Sequence, residues 1–138
     1  MLEDLGLVPG IEWLVQTFSQ RTGAACSLKI EEGLELQEPY ASAVFRVVQE
    51  SLNNVAKHAN ATRVEVCMQR EGHMLVLSVQ DNGVGFLVTA ARKPRSLGLV
   101  GLRERVHLLQ GEVTVSSEPG KGTRIEASIP AFGNGGDS

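Results

Sequence analysis

The sequence predicts an α+β fold, a two-layer sandwich in which about three helices cover one face of a mixed, mostly antiparallel sheet. Apolar residues recur at helical spacing in three segments and alternate with polar residues in five others, in the order α-β-α-β-β-α-β-β. This order lacks the strand-helix alternation of a parallel doubly wound sheet, and neither a G-x-x-x-x-G-K-[ST] run nor a G-x-G-x-x-G run after the first strand is present. With 138 residues, 42% of them hydrophobic, the chain has the length of one domain and enough apolar surface for its own core.

The first helix, residues 9–21, opens at Pro9, whose fixed φ suits a first turn. It carries Ile11, Leu14, Val15 and Phe18 on one face and ends at Gly23. Residues 24–30 alternate as a strand, and the polar stretch 31–38 leads into a second helix over 39–59. Val44, Val47, Val48, Leu52, Val55 and Ala59 line one side of that helix. At about 100° per residue, Arg46, Glu50, Asn53, Asn54 and Lys57 gather on the other. Two alternating runs, 62–70 and 73–80, form a hairpin with Glu71-Gly72 as its turn. Residues 86–97 hold Arg92, Lys93 and Arg95 with no apolar period and predict a mobile loop. Leu99, Leu102, Val106 and Leu109 mark a third helix closed by Gly111. Strands at 112–117 and 122–129 then flank the turn EPGKG, and the glycine-rich residues 131–138 read as a flexible tail after a single domain over 1–130.

Bulk properties exclude several functions. A net charge of −3 and a pI near 5.6 give no field for a polyphosphate backbone, so no direct nucleic-acid contact is expected. Cys26 and Cys67 lie far apart in apolar surroundings and read as buried free thiols of a reducing compartment. His58, His73 and His107 have no zinc-ligand spacing with them. The longest apolar runs fall short of the ~20 residues of a membrane span, and the N-terminus lacks a signal peptide's basic and apolar regions. A cytoplasmic domain without membrane contact is expected.

Three stretches carry candidate chemistry. On the second helix Glu50 and Asn54 stand four residues apart with Lys57 a further turn on. A carboxylate there suits the orientation or deprotonation of a nucleophile, an amide oxygen suits Mg²⁺, and a lysine suits phosphate. The plain alternative is a solvated face with an i, i+4 pair. In DNGVGF, Asp81 ends a strand where it can accept from an exocyclic amine, while Gly83 and Gly85 permit close approach of a planar ring; a simple turn is the alternative. In SLGLVGLRERV, Gly98 and Gly101 sit at a helix mouth whose free N–H groups suit phosphates. Read as a tolerated helix glycine, Gly101 costs about 1 kcal/mol relative to alanine without evident return.

Together, E-x-x-x-N with K-H-A (Glu50, Asn54, Lys57, His58, Ala59), DNGVGF (81–86), GLVGLRERV (98–106) and GKGTRIEASIP (120–130) resemble the catalytic, ATP-binding domain of two-component sensor histidine kinases. These kinases share the Bergerat fold with gyrase, Hsp90 and MutL. KHA and GLRER are most similar to the nitrate-sensor and DesK-like subfamily, whose partners are response regulators with helix-turn-helix output domains. The resemblance runs over residues 5–130 and its four motifs stand in the family's order.

It implies Glu50 as the acid that orients or activates the attacking group, Asn54 as Mg²⁺ ligand, and Lys57 and His58 near the phosphates, with packing at the stripe's edge open for His58. Asp81 would accept from the adenine 6-amino group and Thr123 would complete that end of the pocket. Gly83 and Gly85 would border adenine. Gly98, Leu99, Val100, Gly101 and Leu102 would wrap the triphosphate of ATP as loop 86–97, mobile without nucleotide, closes.

Ser96 departs from the further glycine that often stands two residues before Gly98. No run like E-x-x-R-I-A-R-E-x-H-D, the helix bearing the phospho-accepting histidine, is present. The resemblance therefore implies a cut-down kinase whose residues 1–22 join an absent dimerisation domain to the first helix, and which binds ATP without labelling itself. A nucleotide-dependent regulator such as an anti-sigma-factor serine kinase shares the fold; KHA and GLRER speak against it. A gyrase or MutL type would need a transducer domain.

Overall fold

A computed structural model describes residues 6–56, 61–83, 99–117 and 120–132, with Leu99 and Val100 as backbone alone. Its elements run α1 (Leu7–Thr22), β1 (Ala25–Ile30), α2 (Tyr40–Asn54), β2 (Arg63–Glu71), β3 (Met74–Asp81), α3 (Leu99–Leu108), β4 (Glu112–Ser117) and β5 (Thr123–Ile129). The five strands form one sheet in the order β1-β2-β3-β5-β4. β1 and β2 pair in parallel across the α2 crossover and all other pairs are antiparallel. The expected mixed, mostly antiparallel sheet is thus present.

Strand alternation decides which face the helices cover. Val64, Val66 and Met68 on β2, Leu75, Leu77 and Val79 on β3, and Ile125, Ala127 and Ile129 on β5 are buried together. They meet Ile11, Leu14, Val15 and Phe18 of α1, Val44, Val47, Val48 and Leu52 of α2, and Leu102 and Val106 of α3. The helical positions are those the apolar period selects, because only one stripe of each helix can reach a flat partner. α1 packs on β1 and α2, α2 on β3 and α3, and α3 on β4 and β5. The other face of the sheet is polar and carries the exposed Lys29–Glu65 and Arg124–Glu126 pairs, at 3.1 and 3.2 Å.

Several boundaries differ from the sequence expectation. α1 begins at Leu7, with Pro9 inside its first turn, and ends where Gly23 takes a left-handed φ of 79° and donates to the Ser19 carbonyl. The hairpin turn is Gly72-His73 rather than Glu71-Gly72: Glu71 pairs with Met74, and Gly72, at φ 66°, takes the first central position that demands positive φ. α2 has no cap from Pro39. The Glu38 carboxylate instead accepts from the Ser42 N–H and hydroxyl at 3.1 and 2.9 Å, where a negative charge also suits the helix dipole.

The α-winding of α2 stops at Asn54 and widens to a π turn at Val55 and Ala56; the rest of the expected helix, through Ala59, lies outside the described residues. At the end of α3 the left-handed residue is Gln110, at φ 65°. It donates to the His107 carbonyl while Gly111 donates to Val106, the paired bonds of a Schellman closure. Gly111 is needed for a different reason, since a Cβ there would stand 2.3 Å from the Ser128 carbonyl oxygen.

The thiols of Cys26 and Cys67 are free and half-buried rather than buried; desolvation pushes Cys26 up to about 11, which keeps it unreactive. Ala131 and Phe132, read from the sequence as the start of a polar tail, pack on the hairpin. Phe132 donates to the His73 carbonyl and lies 4.2 Å under the Arg70 guanidinium.

Ser51 is fully buried in α2, and its hydroxyl has no hydrogen-bond partner among the described residues. Ser51→Ala removes a desolvated group and adds helix propensity, so it should stabilise the domain by about 1 kcal/mol. A melting temperature raised by roughly 2–5 °C is the measurement that checks it.

Candidate functional site

Two groups of polar residues stand out against this core. The first lies at the C-terminal end of β3. Register pairs Asp81 with Thr123 at the start of β5, and the inward alternation of Leu75, Leu77 and Val79 carries Asp81 to the helix-covered face, where it is 6% exposed. Its Oδ1 accepts from the Gly83 N–H at 2.7 Å, which bends the chain back after the strand. Burial raises the carboxyl above its ordinary 3.8, while the N–H groups of Gly83 and Thr123 pull it the other way.

Asp81 is held in place by residues the sequence reading left without a role. Gly122 approaches so closely that a Cβ would lie 2.0 Å from the Asp81 carbonyl oxygen. Ser117 shares a 2.9 Å hydroxyl contact with Thr123. Asn82 accepts from the N–H groups of Thr62 and Arg63 at 3.0 and 2.9 Å and donates to the Thr62 hydroxyl, tying the end of β3 to the start of β2. The D-N-G and G-K-G-T runs, separate motifs in the sequence, therefore act as one clamp.

The second group joins α2 to α3. Glu50 and Asn54 both lie half-exposed on the polar side of α2, as their spacing requires, beside exposed Asn53 and Arg46. Arg105 of α3 donates from Nη2 to Glu50 Oε2 at 3.2 Å. Glu50 Oε1 and Arg105 Nε are buried without a partner among the described residues. Arg105 stood unassigned within GLRER. The signal was its place at the edge of the Leu102–Val106 stripe, where a half-buried cation needs an acid on the neighbouring element.

The remaining candidates divide. Leu102 is fully buried in the core, so its side chain is not available to a ligand. Gly101 is exposed, and among the described residues nothing lies within 4 Å of where its Cβ would stand, so packing does not ask for glycine there. Leu99 and Val100 open α3. Lys57, His58, Gly85, Gly98 and the loop 86–97 lie outside the described residues. Among the described residues no three His, Cys, Asp or Glu side chains converge as a metal-binding set, and no helix is long and apolar enough to cross a membrane.

Comparison with known proteins follows the same lines. The family model described as histidine kinase-, DNA gyrase B- and HSP90-like ATPase matches residues 40–132, more than half of the chain. The signal transduction histidine-protein kinase/phosphatase DegS of Brevibacillus brevis is 41% identical over 130 residues, 94% of this chain and 33% of that protein. The sensor histidine kinase LiaS of Bacillus subtilis (strain 168) is 34% identical over 131 residues, 95% of this chain and 36% of that one. The chain thus spans about a third of the length of the curated relatives it matches. Among solved structures, the histidine kinase domain of the Erythrobacter litoralis EL346 blue-light activated histidine kinase superposes with a TM-score of 0.75 at 21% identity, over 88% of this chain and 59% of that one, a likeness of fold. With the sheet, the α2 and α3 motifs and these relatives in agreement, the chain belongs to the family of histidine kinase-, DNA gyrase B- and HSP90-like ATPases, and within it stands with the sensor histidine kinases.

Proposed function

We propose that this chain is the ATP-binding catalytic domain of a cytoplasmic sensor kinase, binding Mg-ATP and donating the γ-phosphoryl group to a histidine on a separate dimerisation domain, for relay to a response regulator with helix-turn-helix output. The observation that carries it is Asp81, a buried carboxylate held by two backbone N–H groups and by the close approach of Gly122. An acid kept dry at a strand end is suited to accept from the adenine amine, which a solvated one would leave to water.

The phosphate end is supported by Gly101, which packing among the described residues does not require, and by Glu50, whose buried Oε1 has no partner among the described residues and is suited to accept from an attacking imidazole N–H. The donor set also fits magnesium. With no cluster of protein acids among the described residues, Asn54 would be the protein group that holds the ion, and phosphate and water would supply the other oxygens, the habit of Mg²⁺. When bound, it would neutralise phosphate charge during transfer. Lys57, His58, Gly85, Gly98, Leu99, Val100 and Leu102 are proposed for the triphosphate and ring edges, and Thr123 for the adenine end.

Calorimetric titration with magnesium and a non-hydrolysable ATP analogue should give saturable binding, and the guanine analogue should bind at least tenfold more weakly, because its carbonyl would face a carboxylate. Well-folded protein giving no heat and no saturation would defeat the reading; equal affinity for both purines would defeat the role of Asp81.

A further inference from the structure

The contact between α2 and α3 has an odd composition. Glu50 and Arg105 are each about a third exposed at the side chain, 29% and 32%, so both have lost much of their water. Yet they share a single 3.2 Å contact, where an arginine fork can make two, and the second carboxylate oxygen and the guanidinium Nε are both buried without partners among the described residues. A pair serving only to tie two helices together gains most when saturated, since each orphaned polar atom carries a desolvation cost. The neighbours on α3 turn elsewhere: Arg103 is exposed and reaches the Val113 carbonyl at 3.3 Å, and Glu104 is exposed. Leu102 and Val106, fully buried on the core side, fix the rotation of α3 and hence the direction from which Arg105 arrives.

We propose that Arg105 is a positioning residue for phosphoryl transfer, holding Glu50 Oε2 so that Oε1 stays free and aimed at the attacking group. This rests on the reading of Glu50 given above. In the step it serves, the N–H of a neutral imidazole donates to Oε1 while the lone pair of the other ring nitrogen attacks the γ-phosphorus. The N–P bond forms, the bond to the β–γ bridging oxygen breaks, ADP leaves with that electron pair, and the ring's remaining N–H proton passes through Glu50 to solvent. A carboxylate free to rotate would offer Oε1 in that direction only part of the time. Its arginine partner removes that freedom before the acceptor arrives.

The test is a double-mutant cycle over Glu50→Gln and Arg105→Met. It reads Mg-ATP affinity by calorimetry and the initial rate of transfer from radiolabelled ATP to a histidine-bearing dimerisation domain supplied in trans. Arg105→Met should leave the nucleotide Kd within about threefold and lower the transfer rate by on the order of 10- to 100-fold. Because it acts through Glu50, the double variant should be no slower than Glu50→Gln alone, and Arg105→Lys should recover part of the rate.

A Kd raised tenfold or more, a rate at or above wild type, or rate losses that simply multiply would each overturn the proposal. Arg105→Lys keeps the charge and most of the reach, so it carries the test if the methionine variant melts early: a Lys variant indistinguishable in rate from a folded Arg105→Gln removes the role. A wild-type chain that binds no Mg-ATP, or transfers nothing, strikes the kinase reading itself and is thereby told apart from a failure of Arg105.

Discussion

Asp81→Asn should abolish most nucleotide binding while leaving the fold intact. The carboxylate is 6% exposed and takes N–H bonds from Gly83 and Thr123, so asparagine fits the space and its amide oxygen can keep one of those bonds. Its NH₂ would instead confront either a backbone N–H or the adenine amine, donor against donor. A hydrogen bond to a charged group contributes about 1.5–3 kcal/mol, and an opposed donor adds to the loss, so affinity for an ATP analogue should fall on the order of 100-fold or more by calorimetry. The melting temperature should change little, because the variant loses an acceptor and also relieves a desolvated charge.

The same group sets a pH dependence whose sign is fixed. Its folded carboxyl is raised by burial, so between its ordinary 3.8 and the raised folded value the native state binds more protons than the unfolded chain. Stability from this group is therefore fully present below that ordinary value and is lost as pH rises through the folded one. Asp81→Asn should lack this slope. Nucleotide affinity runs the opposite way, weakening as acid protonates Asp81 and removes the acceptor. A wild-type affinity flat across that interval, or a variant binding as well as wild type, would remove Asp81 from the site.

Gly122→Ala should be the most damaging small substitution in the described part of the chain. Gly122 sits at φ 85°, where a side chain strains the backbone, and its Cβ would stand 2.0 Å from the Asp81 carbonyl oxygen and 3.0 Å from the Asn82 Cα. Left-handed strain of ~1–3 kcal/mol and overpacking of ~1–3 kcal/mol act together, giving a loss of roughly 3–5 kcal/mol. At the scaling of a domain this size, that corresponds to a fall of about 10–15 °C in melting temperature. Gly120→Ala is the internal control: its φ of 79° is similarly left-handed, but nothing lies within 4 Å of its Cβ, so only the strain remains, about 1–3 kcal/mol. Equal melting temperatures for the two variants would show that the β3–β5 approach is looser than the backbone positions require. Because the obstructed atoms belong to Asp81 and Asn82, Gly122→Ala should also weaken nucleotide binding in whatever fraction stays folded.

Much of this molecule was legible in the order of its residues. Helical period placed Ile11, Val44, Val48, Leu102 and Val106 in the core, and alternation placed Val66, Leu77 and Ile125 opposite them, because burial selects one stripe of a helix and every second residue of a strand. The same periods put Glu50 and Asn54 on one polar side, and the order of the four motifs is that of the ATPase family. Local period could not foresee where α2 stops being α, nor that Gln110 rather than Gly111 takes the left-handed turn. At the end of α3 the neighbouring strand leaves no room for a side chain at Gly111, where the Ser128 carbonyl stands.

Residue order alone shows which residues are polar beside a core, and hence which helix faces and strand ends carry candidate chemistry. Their company comes from the packed fold: Arg105 beside Glu50, fifty-five positions away, and Gly122 against Asp81 across the β3–β5 register. Periodicity reports how a residue sits on its own element. A site is made between elements, and the geometry between them is set by sheet order and packing, which no local pattern encodes.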